Sequence, residues 1–191
     1  MMSVMNVKNI RVKLAAAGTL LALVLCALPQ HVLASPFGWG VFGANVPFGS
    51  ATSLSISLGG DVSLPLSISG ATFSGSGSNT VTVTSTDVVG YVLYAHTTGS
   101  SDMTSVGGAT ITASTNTTTG PLAVGTWGYN TTGDTTNFLG MGSTSSVLKD
   151  ASGPFTSGDT TTVTYGALTS ATQAAGTYSV PVTYTAVAKG Q

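Results

Sequence analysis

The amino-acid sequence predicts an all-β protein: a single antiparallel β-sandwich of Greek-key or Ig-like type, preceded by a signal peptide. Three observations lead to this prediction. Short segments that alternate apolar and hydroxyl side chains recur through residues 51–188, as in half-buried strands. Clusters of Gly, Ser, Asn and Asp separate these segments and indicate turns. No stretch beyond residue 34 keeps the 3.6-residue apolar period of a helix over three turns. A closed barrel is the alternative architecture.

Residues 1–34 have the pattern of a secretory signal peptide. Lys8, Arg11 and Lys13 precede an apolar run over residues 14–28, and Val32-Leu33-Ala34 supplies the small residues at the cleavage positions. The run is shorter than the roughly 20 residues that a membrane span needs, so we expect cleavage after Ala34 rather than a retained anchor. We therefore expect an extracellular protein, secreted or associated with the cell surface, with no membrane span left after cleavage.

The chain beyond residue 34 is weakly charged and contains no cysteine. Lys149 and Lys189 are its only cations against six aspartates, a formal charge of −4, and it has neither Arg nor Glu. A nucleic-acid partner is excluded because such binding needs a basic patch. Without disulfides, the domain has to be stabilised by its core.

Residues 35–50 form a segment rich in Gly and aromatic side chains, directly after the expected cleavage site. Its apolar residues are Phe37, Trp39, Val41, Phe42 and Phe48. Exposed aromatic side chains on a free terminus are unfavourable, so we expect them to be buried. They either pack on their own sandwich or enter a neighbouring copy as a donated strand. The second alternative predicts a homo-oligomer or filament, since the contact is head to tail.

The first half of the domain, residues 51–188, opens with two alternating runs. Residues 53–58 and 62–69 are separated by a Gly-Gly-Asp turn signal, which predicts a hairpin. Residues 75–79, Gly-Ser-Gly-Ser-Asn, are predicted to form a loop before a strand over residues 80–86. Residues 88–96 are apolar on both faces, which predicts a central strand.

The second half of the domain contains shorter predicted strands. They fall at residues 109–113, 122–130 and 147–148, with polar loops between them. Residues 160–168 alternate with Val163, Tyr165 and Ala167 directed inward.

The last predicted strand, residues 176–188, shows the clearest alternation in the chain. One face carries Tyr and aliphatic residues, and the other carries Thr, Ser and Pro181. Because proline cannot donate to a β-ladder, Pro181 predicts an edge position or a bulge. Residues 189–191 follow as a short tail.

Tyr178 begins this strand after a long connection, as the tyrosine does in the tyrosine corner of Greek-key sandwiches. We predict that its hydroxyl bonds to the backbone within residues 169–176. The alternative is that Tyr178 is only the first core residue of the strand.

Trp127 and Tyr129 are candidates for an aromatic platform that binds a sugar. They lie two residues apart and therefore on the same face of a strand. The alternative is that both rings pack between the sheets. Asn116 and Asn130 match the N-glycosylation pattern, which arises readily by chance in a chain so rich in Thr.

The sequence offers little for catalysis or for cofactor binding. His96 is the one histidine beyond residue 34, at the end of a predicted strand. The aspartates fall mostly in turn-like contexts, which Asp favours for conformational reasons. Zinc prefers clusters of His and Cys, which are absent from the sequence, and a calcium loop would have to use Asp134 or Asp159. We predict that the protein is not an enzyme and holds no cofactor or metal.

Four segments carry a resemblance to known proteins: Trp127-Gly128-Tyr129-Asn130, residues 159–166, Ala175-Gly176-Thr177-Tyr178 and residues 182–186. Together they resemble a group of secreted bacterial surface proteins. The C-terminal part also resembles the WxL cell-wall-binding domain, although the two Trp-x-Leu segments of that domain are absent. The resemblance implies a cell-surface β-sandwich and no activity.

We therefore expect a non-catalytic structural or interaction protein of the cell surface, with assembly through residues 35–50. The alternative is a carbohydrate-binding or cell-wall-binding adhesin module.

Overall fold

The computed structural model describes residues 52–190, which are all-β and contain no helix. The alternation of apolar and hydroxyl side chains forms strands because one face is buried while Thr and Ser hydroxyls face water. The strands are β1 Ser53–Leu58, β2 Ser67–Ser69, β3 Thr72–Thr86, β4 Gly90–Thr97, β5 Met103–Ser105, β6 Thr110–Ala113, β7 Gly120–Pro121, β8 Thr126–Asn130, β9 Asn137–Phe138, β10 Ser146–Ser152, β11 Phe155–Ser170, β12 Tyr178–Ser179 and β13 Val182–Ala188.

The described strands form one large and two small sheets. The large sheet has the order β1-β3-β11-β8-β6-β5-β12, with β2 added along β3. A three-stranded sheet has the order β10-β4-β13, and β7 pairs with β9. The strand predicted to be central, now β4, is the middle strand of the three-stranded sheet. All pairs are antiparallel except β6 with β8, which are parallel, so the large sheet is mixed rather than purely antiparallel as expected.

A single hydrophobic cluster joins the large sheet to the three-stranded sheet. Val81 and Val83 of β3, Leu93 of β4 and Val163 of β11 are all fully buried in it. Val81, Val83 and Val163 were predicted to face inward from the alternation of their strands. Leu93 lies in the strand predicted to be apolar on both faces. The opposite face of β3 and β11 carries threonines such as Thr82 and Thr160, whose hydroxyls meet at 3.3 Å.

The last strand runs through both sheets. Tyr178 and Ser179 pair with β5 in the large sheet, whereas β13 pairs with β4 in the three-stranded sheet. The ladder is interrupted between β12 and β13, where Pro181 lies. Pro181 therefore marks the point at which the chain changes sheets, and β13 is an edge strand, in line with the prediction for this proline.

The predicted hairpin between residues 53–58 and 62–69 is wrong. β1 pairs with β3 instead, with Ser53 opposite Thr86 and Leu58 opposite Val81. Only Ser67–Ser69 of the second run forms a strand, also against β3. Pairing with the long β3 satisfies the backbone of β1 and places Leu54 against the core, which a local hairpin would not do.

The predicted loop at residues 75–79 is also wrong, since it is the middle of the 15-residue strand β3. Gly75 and Gly77 are needed there for close packing. A Cβ atom on Gly75 would lie 2.3 Å from the carbonyl oxygen of Pro65, and one on Gly77 would lie 2.5 Å from that of Ser63. The glycines thus allow residues 62–66 to lie directly on β3.

The predicted signal peptide, residues 1–34, and the segment of residues 35–50 lie outside the described residues. Residues 52–190 contain no helix long and apolar enough to cross a membrane.

Candidate functional site

The described residues form an apolar groove on the inner face of the large sheet, with a volume of about 930 Å³. One wall is the end of β1 with residues 61–66, and the other is residues 176–182. Trp127, Ile111 and Tyr165 of β8, β6 and β11 lie at its base. A concave apolar volume of this size falls within the range of ligand and peptide sites.

The wall on the β1 side presents apolar side chains to solvent. Leu58 is 53% exposed and Leu66 is 37% exposed, although the alternation of the sequence predicts that both face inward. The three-stranded sheet does not extend over them, so their inward-facing surface remains uncovered by the described residues.

Trp127 and Tyr129 face the core rather than the surface. Both are buried, and the Trp127 indole N–H donates a 3.0 Å hydrogen bond to the carbonyl oxygen of Ser101. Trp127 packs near Tyr165, with ring centroids 6.4 Å apart. Because neither ring is exposed, the two residues do not form a flat sugar platform on the surface described here. The structure places them in the core, which is the second of the two alternatives.

A polar cluster joins the two sheets at the end of the core opposite the groove. The Tyr91 hydroxyl of β4 donates to Asp159 of β11 at 2.8 Å, and Lys149 of β10 forms a 2.6 Å ion pair with the same carboxylate. Burial acts to raise the pKa of Asp159, but the hydrogen bonds from Lys149 and Tyr91 outweigh it and hold that pKa below its usual value. Burial and the neighbouring Asp159 carboxylate raise the pKa of Tyr91.

Sequence analysis missed this cluster because Asp159 was placed in a turn. The residue lies within β11, after an irregularity in its pairing with β3. The one available signal was that Lys149 is one of only two cations beyond residue 34, against six aspartates.

A second polar contact joins the sheets beside the groove. The hydroxyls of Tyr165 on β11 and Tyr184 on β13 are hydrogen-bonded to each other. Burial is the main reason that the pKa values of both side chains are raised, so both are neutral at physiological pH.

The Tyr178 hydroxyl donates a 2.6 Å hydrogen bond to the carbonyl oxygen of Ala174, within the backbone stretch predicted from the sequence. It also accepts a hydrogen bond from the Gln173 side chain at 2.8 Å. These bonds close the turn that leads into the 176–182 wall of the groove.

Asn116 and Asn130 use their side-chain amides to hold loops. The Asn116 amide nitrogen donates to the carbonyl oxygens of Gly120, Pro121 and Phe138. Asn130 is fully buried, and its amide nitrogen donates to the carbonyl oxygens of Asp134 and Asn137. A glycan cannot be attached to Asn130 in this folded state because its amide nitrogen is inaccessible.

Asp134 is likewise engaged by its own loop. Its carboxylate accepts hydrogen bonds from the Asn137 side chain and from the side chain and backbone of Thr136, which lower its pKa to about 2. No group of three or more His, Cys, Asp or Glu side chains that could hold a metal ion occurs among residues 52–190.

His96 is partly exposed, and its Nδ1 atom lies 3.4 Å from the hydroxyl of Ser145. The two ion pairs found within the described part of the chain do not involve this imidazole.

The five apolar residues of the candidate assembly segment, Phe37, Trp39, Val41, Phe42 and Phe48, lie outside the described residues. No protein-family model, curated protein or solved structure matches this chain. The fold and the groove therefore define an all-β protein with an open apolar site, and any function has to be argued from that geometry.

Proposed function

We propose that this chain is a non-catalytic structural or interaction protein of the bacterial cell surface. It is a secreted β-sandwich of Greek-key or Ig-like type that assembles with copies of itself through residues 35–50. The observation that carries this proposal is the apolar groove, together with an aromatic segment located just before β1. An apolar groove beside strand edges suits the addition of an extended segment from another chain.

Three further features support the proposal. The first 34 residues have the pattern of an export signal. The outer strand faces carry Thr hydroxyls instead of charges, and no disulfide is needed to hold the core. The polar clusters connect one sheet to the other, and this is a structural role.

Assembly is tested by comparing two chains in light scattering. A chain that begins at Ser35 is expected to form higher-order species as its concentration rises. A chain that begins at Ser50 retains every residue of the core cluster and is expected to remain monomeric. Immunolabelling of intact cells that express the full sequence is expected to detect the protein at the surface. If the protein stays inside the cell, or if both chains remain monomeric, the proposal fails.

A carbohydrate-binding or cell-wall-binding adhesin module is the second candidate. The groove favours it because Tyr178 and Tyr184, both partly exposed, contribute to its lining, and aromatic rings stack well on sugars. Isolated cell walls would then retain the chain that begins at Ser50, and Tyr178→Ala would abolish this retention. Retention that Tyr178→Ala leaves unchanged would exclude the groove as a glycan site.

A further inference from the structure

The groove lies where the inner face of the large sheet is longer than the three-stranded sheet that covers it. β3 and β11 contain 15 and 16 residues, whereas β4 and β13 contain 8 and 7. At about 3.3 Å per residue, the strands of the large sheet are roughly 23–30 Å longer than those of the three-stranded sheet. The groove lies there between residues 61–66 and residues 176–182, and the large-sheet side chains at its base, Trp127, Ile111 and Tyr165, are buried.

Both walls of the groove are held by contacts with the large sheet or with their own turn. Residues 62–66 lie directly on β3, where Gly75 and Gly77 admit the carbonyl oxygens of Pro65 and Ser63. The opposite wall is held by the pairing of β12 with β5 and by the hydrogen bond from Tyr178 to Ala174. An occupant of the groove therefore has to come from outside residues 52–190.

The exposure of the apolar face of β1 increases toward the groove. Leu54 is partly buried against the core, Ile56 is 39% exposed and Leu58 is 53% exposed. This gradient indicates that the uncovered apolar surface continues from the edge of the core into the groove.

We propose that the groove is the acceptor for residues 37–41 of a second copy of this chain. The inference rests on the proposed function, because it names the surface through which assembly occurs. In an extended conformation Phe37, Trp39 and Val41 share one face, and glycines occupy the other. Five such residues span roughly 16 Å, which is shorter than the difference in length between the two sheets. Phe37 and Trp39 would each bury roughly 150–250 Å².

The position of β1 excludes one path by which the same chain could fill the groove, namely a strand added along the free edge of β1. Residue 52 precedes Ser53, which pairs with Thr86, whereas the groove lies at the opposite end of β1, near Leu58. A segment returning along the free edge of β1 would have to fit between β1 and β13. A strand placed there needs about 9.6 Å between its two neighbours, and the Cα atoms of β1 and β13 approach within 8 Å. A segment from another molecule is not subject to this constraint.

Charge is also compatible with this occupant. Residues 35–50 contain no charged side chain, so the α-amino group of Ser35 is the only charge on the segment after the expected cleavage. Asp61 is the single charged residue among those that line the groove. The amino group, two residues before Phe37, has a carboxylate available at the groove rim.

The test uses two complementary variants of the chain that begins at Ser35. The acceptor variant carries Leu58→Asp and Leu66→Asp, which place carboxylates on exposed positions of the groove wall. The donor variant carries Phe37→Ser, Trp39→Ser and Val41→Ser, with the groove intact. Each variant alone is expected to assemble only at a concentration at least about tenfold higher than the unchanged chain needs. The donor variant loses apolar burial, and the acceptor variant would have to bury carboxylates in the contact. Mixed in equal amounts, they are expected to form heterodimers that grow no further.

A matched control carries Ile68→Asp and Val124→Asp, at positions 65% and 55% exposed and outside the groove lining. It is expected to assemble as the unchanged chain does. Assembly that persists in the acceptor variant, or mixed variants that form no heterodimer, would overturn the groove as acceptor while leaving surface assembly intact. A monomeric unchanged chain would overturn both proposals. In that case, binding of a peptide of residues 35–49 to the chain that begins at Ser50 would show that the segment packs on its own chain.

Discussion

The two halves of the inner layer differ in what covers the large sheet. In the closed half, side chains of β4 and β13 pack in one hydrophobic cluster with those of β3 and β11, and Val81, Leu93 and Val163 are completely buried. In the groove half, the cover consists of residues 61–66 and 176–182, and Leu58 and Leu66 are exposed. The apolar pattern of the sequence is equally regular in both halves. The difference therefore shows that an alternating pattern predicts an inward face without showing whether the chain itself supplies the covering layer.

The closed half is also the half with a partly buried ion pair between the sheets. Tyr91, Lys149 and Asp159 connect β4, β10 and β11 there. The groove half has the neutral contact between Tyr165 and Tyr184 and the turn closed by Tyr178. The stability of the domain should accordingly be unequal along its length, and four predictions test this.

The largest difference is expected between matched leucine truncations in the two halves. Leu93→Ala in the closed half is expected to lower the free energy of unfolding by about 2–5 kcal/mol, because it leaves a cavity at a fully buried site. Leu66→Ala in the groove half is expected to cost less than about 1 kcal/mol, since 37% of this residue is already exposed. Denaturant unfolding of the two variants measures both values. Equal costs would show that the groove half is as tightly packed as the closed half.

The second difference concerns the two ion pairs. Asp159→Asn is expected to lower the free energy of unfolding by about 1–2 kcal/mol, because Lys149 loses a charged hydrogen bond in a partly buried site. The loss is limited because about a third of the Lys149 side chain can still reach water. Asp150→Asn removes the exposed partner of Lys189 and is the control, with an expected effect within about 0.5 kcal/mol.

The contribution of Asp159 should also depend on pH. Its pKa in the folded protein is lowered, so its stabilising effect is complete above the ordinary aspartate pKa of about 3.9. The effect is lost as the pH falls through the lower pKa of the folded state, because the unfolded chain takes up the proton first. The stability difference between the unchanged chain and Asp159→Asn should therefore shrink below about pH 4. A difference that stays constant down to lower pH would indicate that the ion pair contributes nothing to stability.

The sequence predicts the closed half better than the groove half for physical reasons. Val81, Val83 and Val163 were placed correctly because alternation in a half-buried strand depends on neighbouring residues alone. The Gly-Ser-Gly-Ser-Asn run of β3 was predicted to be a loop because its glycines read as turn signals. They are instead required by a contact with residues 62–66, which only the tertiary structure shows.

The candidate site was less predictable than the fold for the same reason. Trp127 could be assigned to a strand face from its spacing, but its burial depends on which strands pair on either side of it. Asp159 meets Lys149 and Tyr91 only because three strands from two sheets converge, and no local pattern encodes that meeting.

The smallest expected effect belongs to the turn at the edge of the groove. The Tyr178 hydroxyl donates to Ala174 and accepts from Gln173, so Tyr178→Phe removes both bonds and keeps the ring in place. Part of this loss is replaced in the variant. Gln173 keeps its hydrogen bond to the carbonyl oxygen of Thr110, and the exposed carbonyl group of Ala174 can bond to water. We therefore expect a loss of about 1 kcal/mol in the free energy of unfolding. Tyr94→Phe is the matched control, since no hydrogen bond to the Tyr94 hydroxyl is found within residues 52–190, and it should leave the denaturation midpoint unchanged. Identical midpoints for the two variants would mean that Tyr178 acts only through its ring, and that the wall of residues 176–182 is held by the pairing of β12 with β5 alone.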